Sequence, residues 1–303
     1  MLNSVITKNK TMNTLKLNSI SLTYKNGHQA INNISLEIKN GMFGLLGPNG
    51  AGKSSLMKTI VGLQKPSSGN IHFNDVDIVS NPDYIKKNLG FLPQDFGVYP
   101  KVSAYNLLNH IAILKGVKDD SERNRQIQYL LEKVNLWHFR HKEVHTFSGG
   151  MRQRFGVAQA LLGKPKIIIV DEPTAGLDPE ERNRFNTLLN DISAEVVVIL
   201  STHLVEDVKN LCSQMAIMNK GQILKTGQPK HLIAELEHKI WSKSIEKEEL
   251  EFYKSNFNII SQQLIERQLQ VTVLSEEQPK GFLPTKPLLE HVYFYTLTQN
   301  NQQ

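Results

Sequence analysis

The segment Gly47-Pro48-Asn49-Gly50-Ala51-Gly52-Lys53-Ser54 constrains this chain more than any other. It fits G-x-x-x-x-G-K-[ST], the phosphate-binding P-loop. Its glycines let backbone N–H groups turn inward and approach an anion closely. Lys53 supplies a point charge for β- and γ-phosphates, and Ser54 supplies a hydroxyl for Mg²⁺. The flanks agree. Met42 to Leu46 is a short apolar run that reads as a buried strand. Ser54 to Leu63 reads as a helix, apolar at Leu56, Met57, Ile60, Val61 and Leu63. A helix N-terminus aimed at the loop adds partial positive charge, so the expected cradle runs on to Ser55.

With 303 residues and a 40% hydrophobic share, the chain can bury a sizeable core. Its longest apolar runs, such as Val196 to Leu200, fall far short of the ~20 residues a membrane-spanning helix needs. Met1 to Lys16 is polar, with no apolar core of a signal peptide. The expectation is therefore a cytosolic protein. The one cysteine, Cys212, has no internal disulfide partner and is expected to pack as a small apolar side chain. The net charge of +6 is spread along the chain without an arginine-rich block or interleaved aromatics. That pattern predicts a solvated basic surface and no nucleic-acid partner.

Taken in order, Met1 to Thr11 is a polar extension. Leu15, Leu17, Ile20, Leu22 and Tyr24 alternate as in a half-exposed strand. Asn26-Gly27 signals a hairpin, and Ile31, Ile34, Leu36 and Ile38 give the return strand. After the P-loop helix, Lys65 to Gly69 breaks the pattern. Asn70 to Val79 reads as a strand with a turn at Asn74-Asp75, Tyr84 to Leu89 as a weak helix, and Gly90 to Gln94 as a short strand. Val102 to Gly116, Ser121 to Leu136 and Phe155 to Leu162 are helical by periodicity. The block from about Asp95 to Lys164 is thus predicted as a helical insertion in an α/β chain. Strand and helix then alternate again: Ile167 to Val170, a helix from Pro179 to Ser193 capped by Asp178, Val196 to Leu200, a helix from Val205 to Leu211, and strands at Met215 to Met218 and Gln222 to Lys225. From about His231 the texture changes. Lys243 to Lys254, rich in Glu and Lys, is predicted as a solvated helix face. Gln268 to Leu274 alternates like a strand, and Leu288 to Leu297 is apolar and aromatic. His138, His141 and His145 are too loosely spaced for a metal shell and are placed on the polar side of the insertion.

Two further elements carry chemistry. Ile167 to Val170 leads into Asp171-Glu172. An aspartate ending a buried strand beside a P-loop is where a Mg²⁺ ligand is expected. Glu172 is then free to act as base toward a water in line with the γ-phosphate. The second element is Phe147-Ser148-Gly149-Gly150-Met151-Arg152-Gln153-Arg154, leading into a helix expected near Phe155. Ser148, Gly149 and Gly150 make a second anion-binding nest. Two phosphate loops in one chain suggest a head-to-tail dimer, in which the second loop of one subunit closes over the γ-phosphate held by the other.

The P-loop, Ser148-Gly149-Gly150, Ile167 to Glu172, Leu177-Asp178 and Ser201-Thr202-His203 occur in this order. With them the chain resembles the ATP-binding subunits of ABC transporters, over about Leu15 to His231. The resemblance implies a P-loop α/β core of a mixed sheet with an antiparallel β subdomain. It adds an inserted helical subdomain and a small α/β C-terminal appendage. The expected ATP-binding domain spans 12–231, with an accessory region at 232–303. The resemblance also implies roles: Tyr24 stacking on adenine, Gln94 touching Mg²⁺ and the attacking water, His203 contacting the γ-phosphate, and Asp178 communicating across a dimer. It implies ATP and Mg²⁺, a second ATP-binding subunit, and a separate membrane-spanning permease. That permease would dock on the helical insertion and the stretch from Gln94 to Pro100, on the cytoplasmic side of the membrane. Phe147 and Met151 depart from the usual signature. Met151 followed by Arg-Gln-Arg is similar to drug, polysaccharide and antibiotic exporters. The alternative is a soluble ABC-type ATPase acting on ribosomes or DNA. Those members usually carry two cassettes, or long coiled-coil or zinc insertions, and this chain has neither.

Overall fold

The computed structural model describes residues 12–94, 97, 100–173, 177–265 and 267–301. The extension expected at Met1 to Thr11 lies outside the described residues, as does most of the stretch between Gln94 and Pro100. Strands β1 (Thr14–Thr23) and β2 (Gln29–Lys39) form the predicted hairpin, and β3 (Gly41–Leu46) carries the chain into the P-loop. Helix α1 (Lys53–Ile60) follows, then the short strands β4 (Ser68–Phe73) and β5 (Val76–Asp77). An antiparallel sheet results, ordered β2-β1-β4-β5. After α2 (Pro82–Asn88) and β6 (Leu89–Leu92) come three helices: α3 (Ala104–Leu114), α4 (Asp120–Lys133) and α5 (Gly149–Leu161). Ser103 and Asp119 cap α3 and α4 by accepting the Asn106 and Glu122 N–H groups.

Helix α5 begins at Gly149, six residues before the start expected at Phe155. The reason is local: Ser148 is its N-cap, accepting the Met151 N–H at 3.2 Å, so the two glycines form the first turn of the helix rather than a loop ahead of it. At the other end, Lys115 Nζ reaches the carbonyls of Gln159, Ala160 and Leu162, tying α5 to the end of α3.

The chain then builds its centre: β7 (Ile167–Asp171), α6 (Pro179–Ser193), β8 (Val197–Thr202), α7 (Val205–Leu211), β9 (Gln214–Asn219) and β10 (Gln222–Gly227). These strands join β3 and β6 in a mixed sheet ordered β10-β9-β3-β8-β7-β6, parallel except at β10. Strand β7 is buried throughout, as expected for a strand covered on both faces. Its side chains alternate between two cores. Ile167 and Ile169 pack with α1 and the antiparallel sheet, while Ile168 and Val170 pack with the three-helix block.

Beyond β10 lie α8 (Pro229–Ala234), β11 (Ile240–Ile245), α9 (Leu250–Asn256), β12 (Ile259–Ile265), β13 (Gln268–Leu274), β14 (Leu283–Pro284) and α10 (Leu289–Asn301). The strands form a third sheet, β12-β13-β11-β14, over a small core of Ile245, Tyr253, Val271, Val273 and Phe282. The solvated helix expected from Lys243 to Lys254 is therefore corrected. Its first residues belong to a strand whose Ile240, Ser242 and Ile245 are buried, and the helix starts only at Leu250. Lys243 looked solvated by composition, yet its ammonium lies over the Tyr253 ring, 5.0 Å from the centroid. Helix α10 turns back onto α7 and α8, burying Leu289 and Val292 in the larger core. No helix among the described residues is long and apolar enough to cross a membrane.

Cys212 is buried between α7 and β9, and burial pushes its thiol up to about 12. The folded protein at pH 8 is expected to leave an aromatic disulfide reagent unreacted, and to consume one equivalent after denaturation. Stoichiometric labelling of the native chain within minutes would contradict this packing.

Candidate nucleotide site

Parallel pairing sets the site. Asp171 is in register with Ser201, and Leu46 with Thr202, so β3, β7 and β8 end at one edge of the sheet. Leu92 pairs with Val170, which brings β6 to the same edge. The P-loop, Glu172, His203 and Gln94 each follow one of these strand ends. The carboxyl edge of a parallel sheet is where such folds hold ligands.

An open cleft of about 380 Å³ lies there, lined by P-loop residues Asn49 to Ser55 together with His28, Ala30, Gln94 and Glu172. Gly52 caps α1 at φ 103°, and a Cβ on it would stand 2.5 Å from the Ala30 carbonyl. Only glycine fits that backbone approach. Lys53 is buried, and its Nζ donates to the carbonyls of Gly47 at 2.7 Å and Pro48 at 3.1 Å. Burial holds its ammonium below the ordinary lysine range, while Glu172 and Asp171 pull it back up. Ser54 Oγ donates to Asp171 Oδ2 at 2.9 Å. The Asp171 carboxyl is pushed up by burial, against the pull of the Ser54 hydrogen bond. Its second oxygen, Oδ1, is buried with no hydrogen-bond partner among the described residues. An orphaned carboxylate oxygen beside a serine hydroxyl is the hard-oxygen donor set that suits Mg²⁺.

Glu172 follows with φ 49°, a left-handed backbone that costs a branched or long residue of order 1–3 kcal/mol. Its N–H donates to the Ser201 carbonyl at 2.9 Å. Its carboxylate is held on both sides: Oε1 is 3.1 Å from His203 Nδ1, and Oε2 is 3.5 Å from Gln94 Nε2. His203 is fixed in turn by Thr202, whose Oγ1 accepts the Leu204 N–H at 2.9 Å and donates to buried Asp207. The three residues expected to be catalytic therefore meet.

Other expected residues stand apart. Ser148, Gly149, Gly150 and Asp178 do not line the cleft. Ser148 caps α5, Asp178 Oδ1 caps α6 by accepting the Glu181 N–H at 2.8 Å, and Gly150 lies against the Glu181 carboxylate. Tyr24 reaches the cleft through its hydroxyl, 3.0 Å from Ser55 Oγ. His28, just past the Asn26-Gly27 turn, lies parallel to Tyr24 with ring centroids 6.4 Å apart. Gln153 was also missed; it donates to the Pro173 carbonyl at 2.8 Å and ties α5 to the segment after Glu172. His138, His141 and His145 are exposed.

The family model described as ABC transporter matches residues 31–175. An uncharacterized ABC transporter ATP-binding protein of Bacillus subtilis, YxlF, is 35% identical over 78% of this chain and 78% of its own length. The chain belongs to the ABC transporter ATP-binding family. The linearmycin resistance ATP-binding protein LnrL of the same bacterium is 34% identical over 68% of this chain and 67% of its own length. Among solved structures, the ATP-binding cassette MJ0796 is similar, in a dimeric post-hydrolysis state bound to ADP and Pi. It superposes with a TM-score of 0.64 at 26% identity, covering 71% of this chain and 98% of that one. This ABC ATPase domain binds nucleotide and hydrolyses ATP. A relative named as an ABC transporter ATP-binding protein does not favour the ribosome- or DNA-acting alternative.

Replacing Lys53 with Ala removes the buried cation over the P-loop. ATP affinity is expected to fall about 100-fold, the loss of one or two charge-assisted contacts. Isothermal titration with unaltered affinity would contradict the place given to Lys53.

Proposed function

We propose that this chain powers export through a separate membrane-spanning partner, with ATP held between two ATP-binding subunits on the cytoplasmic side of the membrane. The observation that carries the catalytic reading is Glu172 clamped between His203 and Gln94, next to Asp171 and the P-loop. Lys53 moves from the Gly47 and Pro48 carbonyls to the phosphates, which take over its charge pairing. Backbone N–H groups from Gly47 to Ser55 hold the remaining phosphate oxygens. Glu172 accepts the proton of the attacking water, His203 keeps its carboxylate aimed, and Gln94 contacts the same water. Ser54, Asp171 and Gln94 would hold Mg²⁺, which when bound neutralises phosphate charge. Tyr24 offers its ring to the adenine.

Ser148, Gly149, Gly150 and Asp178 lie off the cleft of their own chain, which suits a head-to-tail pair where each copy's signature segment covers the other's ATP. The second subunit is this chain or a close relative. The ATP-binding domain is taken as 12–231, its helical subdomain as about 95–164, and the accessory region as 232–303. The helical subdomain and the stretch from Gln94 to Pro100 form the docking surface for the permease. Export is supported by Met151-Arg152-Gln153-Arg154 and by the antibiotic-resistance relative.

Glu172→Gln keeps the shape and both neighbours but removes the base. Its ATP affinity is expected to stay near that of the unaltered chain while turnover falls about 10²–10⁴-fold. Phosphate release at the unaltered rate would remove Glu172 from this role.

A further inference from the structure

A second groove, of about 680 Å³, opens beside the nucleotide cleft. One side is Asn49 of the P-loop, with Arg182, His203 and Glu206; the other is Glu290 and Phe294 of α10. The C-terminal region therefore walls the same face on which the P-loop and His203 are presented. That wall is not inert. Phe294 is 40% exposed although it packs beside Tyr293. Glu206 and Glu290 make no salt bridge among the described residues. Arg182 also lines the groove, and His203 is already engaged with Glu172. Among the described residues neither carboxylate of the groove is ion-paired, so the wall can still take a counterpart.

The counterpart is present elsewhere on the molecule. Arg152 lies one turn inside α5, next to the signature glycines, and has no salt bridge among the described residues. Its Nε is buried without a hydrogen-bond partner, and its Nη2 has only a 3.4 Å contact with the His145 carbonyl. A guanidinium with spare donors is the group that pairs with a carboxylate and lies on an aromatic ring.

We infer that α10 is part of the contact between two copies of this chain, and that its Glu290 and Phe294 receive the signature segment of the second copy, with Arg152 of the partner subunit on the acidic wall. This rests on the sandwich arrangement proposed above and names a surface in it. The groove is continuous with the P-loop and His203, the residues that a signature segment of the second copy would cover. The accessory region then senses closure of the nucleotide site: it gains its partner only when the two copies close on ATP.

The test uses the full-length chain carrying Glu172→Gln, with ATP and Mg²⁺, and follows its dimer by light scattering on a size-exclusion column. Adding Glu290→Arg is expected to weaken the ATP-dependent dimer about tenfold, because attraction becomes like-charge repulsion at a partly exposed pair. Adding Arg152→Glu to Glu290→Arg is expected to restore part of that loss, and Phe294→Ser is expected to weaken the dimer without any charge change. ATP affinity of monomeric Glu290→Arg should be unaltered, which separates a lost interface from a lost fold. If the Glu172→Gln parent dimerises and neither Glu290→Arg nor Phe294→Ser alters it, the inference is overturned and the sandwich stands. If the parent fails to dimerise with ATP, the sandwich itself is overturned, and this inference with it.

Discussion

One part-buried hydrogen bond, from Ser54 Oγ to Asp171 Oδ2, joins the two halves on which the site depends. Ser54 ends the P-loop in the first turn of α1, and Asp171 ends a strand 117 positions further along the chain. Only a parallel sheet with β3, β8 and β7 side by side brings them within 2.9 Å. The same register delivers Glu172 and His203 one residue past their strand ends. The hydrophobic character of β7 is thus a positional device: Ile167 to Val170 fix the strand between two cores, so its terminal carboxylate cannot drift.

Around that bond the chain holds three unusual arrangements. Lys53 is folded onto two carbonyls of its own loop, Asp171 keeps an oxygen without a partner, and Glu172 adopts a left-handed backbone. The orphaned oxygen and the left-handed backbone each cost free energy that the surrounding packing must sustain. Buried polar groups left incomplete in this way cluster where chemistry is done. By contrast, Ser148 and Asp178 are satisfied within their own chain as helix caps. Those caps orient α5 and α6, so any role across a dimer uses the exposed helix starts they define.

What was legible in sequence was what is written locally. The strand and helix flanking the P-loop, the apolar run of β7 and the Asp178 cap each need only a few adjacent residues, though the helix ends at Ile60 and leaves Leu63, expected on its apolar face, exposed. The start of α5 was read too late because its glycines argued for a loop, while the Ser148 cap that makes them helical depends on a single hydrogen bond. Strand β11 was hidden by its charges, since Lys243 is covered by Tyr253 from a later helix, a contact no local pattern contains. His28 beside Tyr24 and Gln153 beside Pro173 were invisible for the same reason: their meaning comes from tertiary neighbours. The return of α10 onto the P-loop face could not be read from Leu288 to Leu297, whose apolar character says that it is buried but not against what.

The most direct measurement is an experimental structure of the Glu172→Gln chain with ATP and Mg²⁺. The γ-phosphate is expected between Lys53 and His203, with Lys53 Nζ withdrawn from the Gly47 and Pro48 carbonyls. Nucleotide bound while Lys53 remains on those carbonyls, or phosphates lying outside the cleft of Gly50 to Ser55, would contradict it.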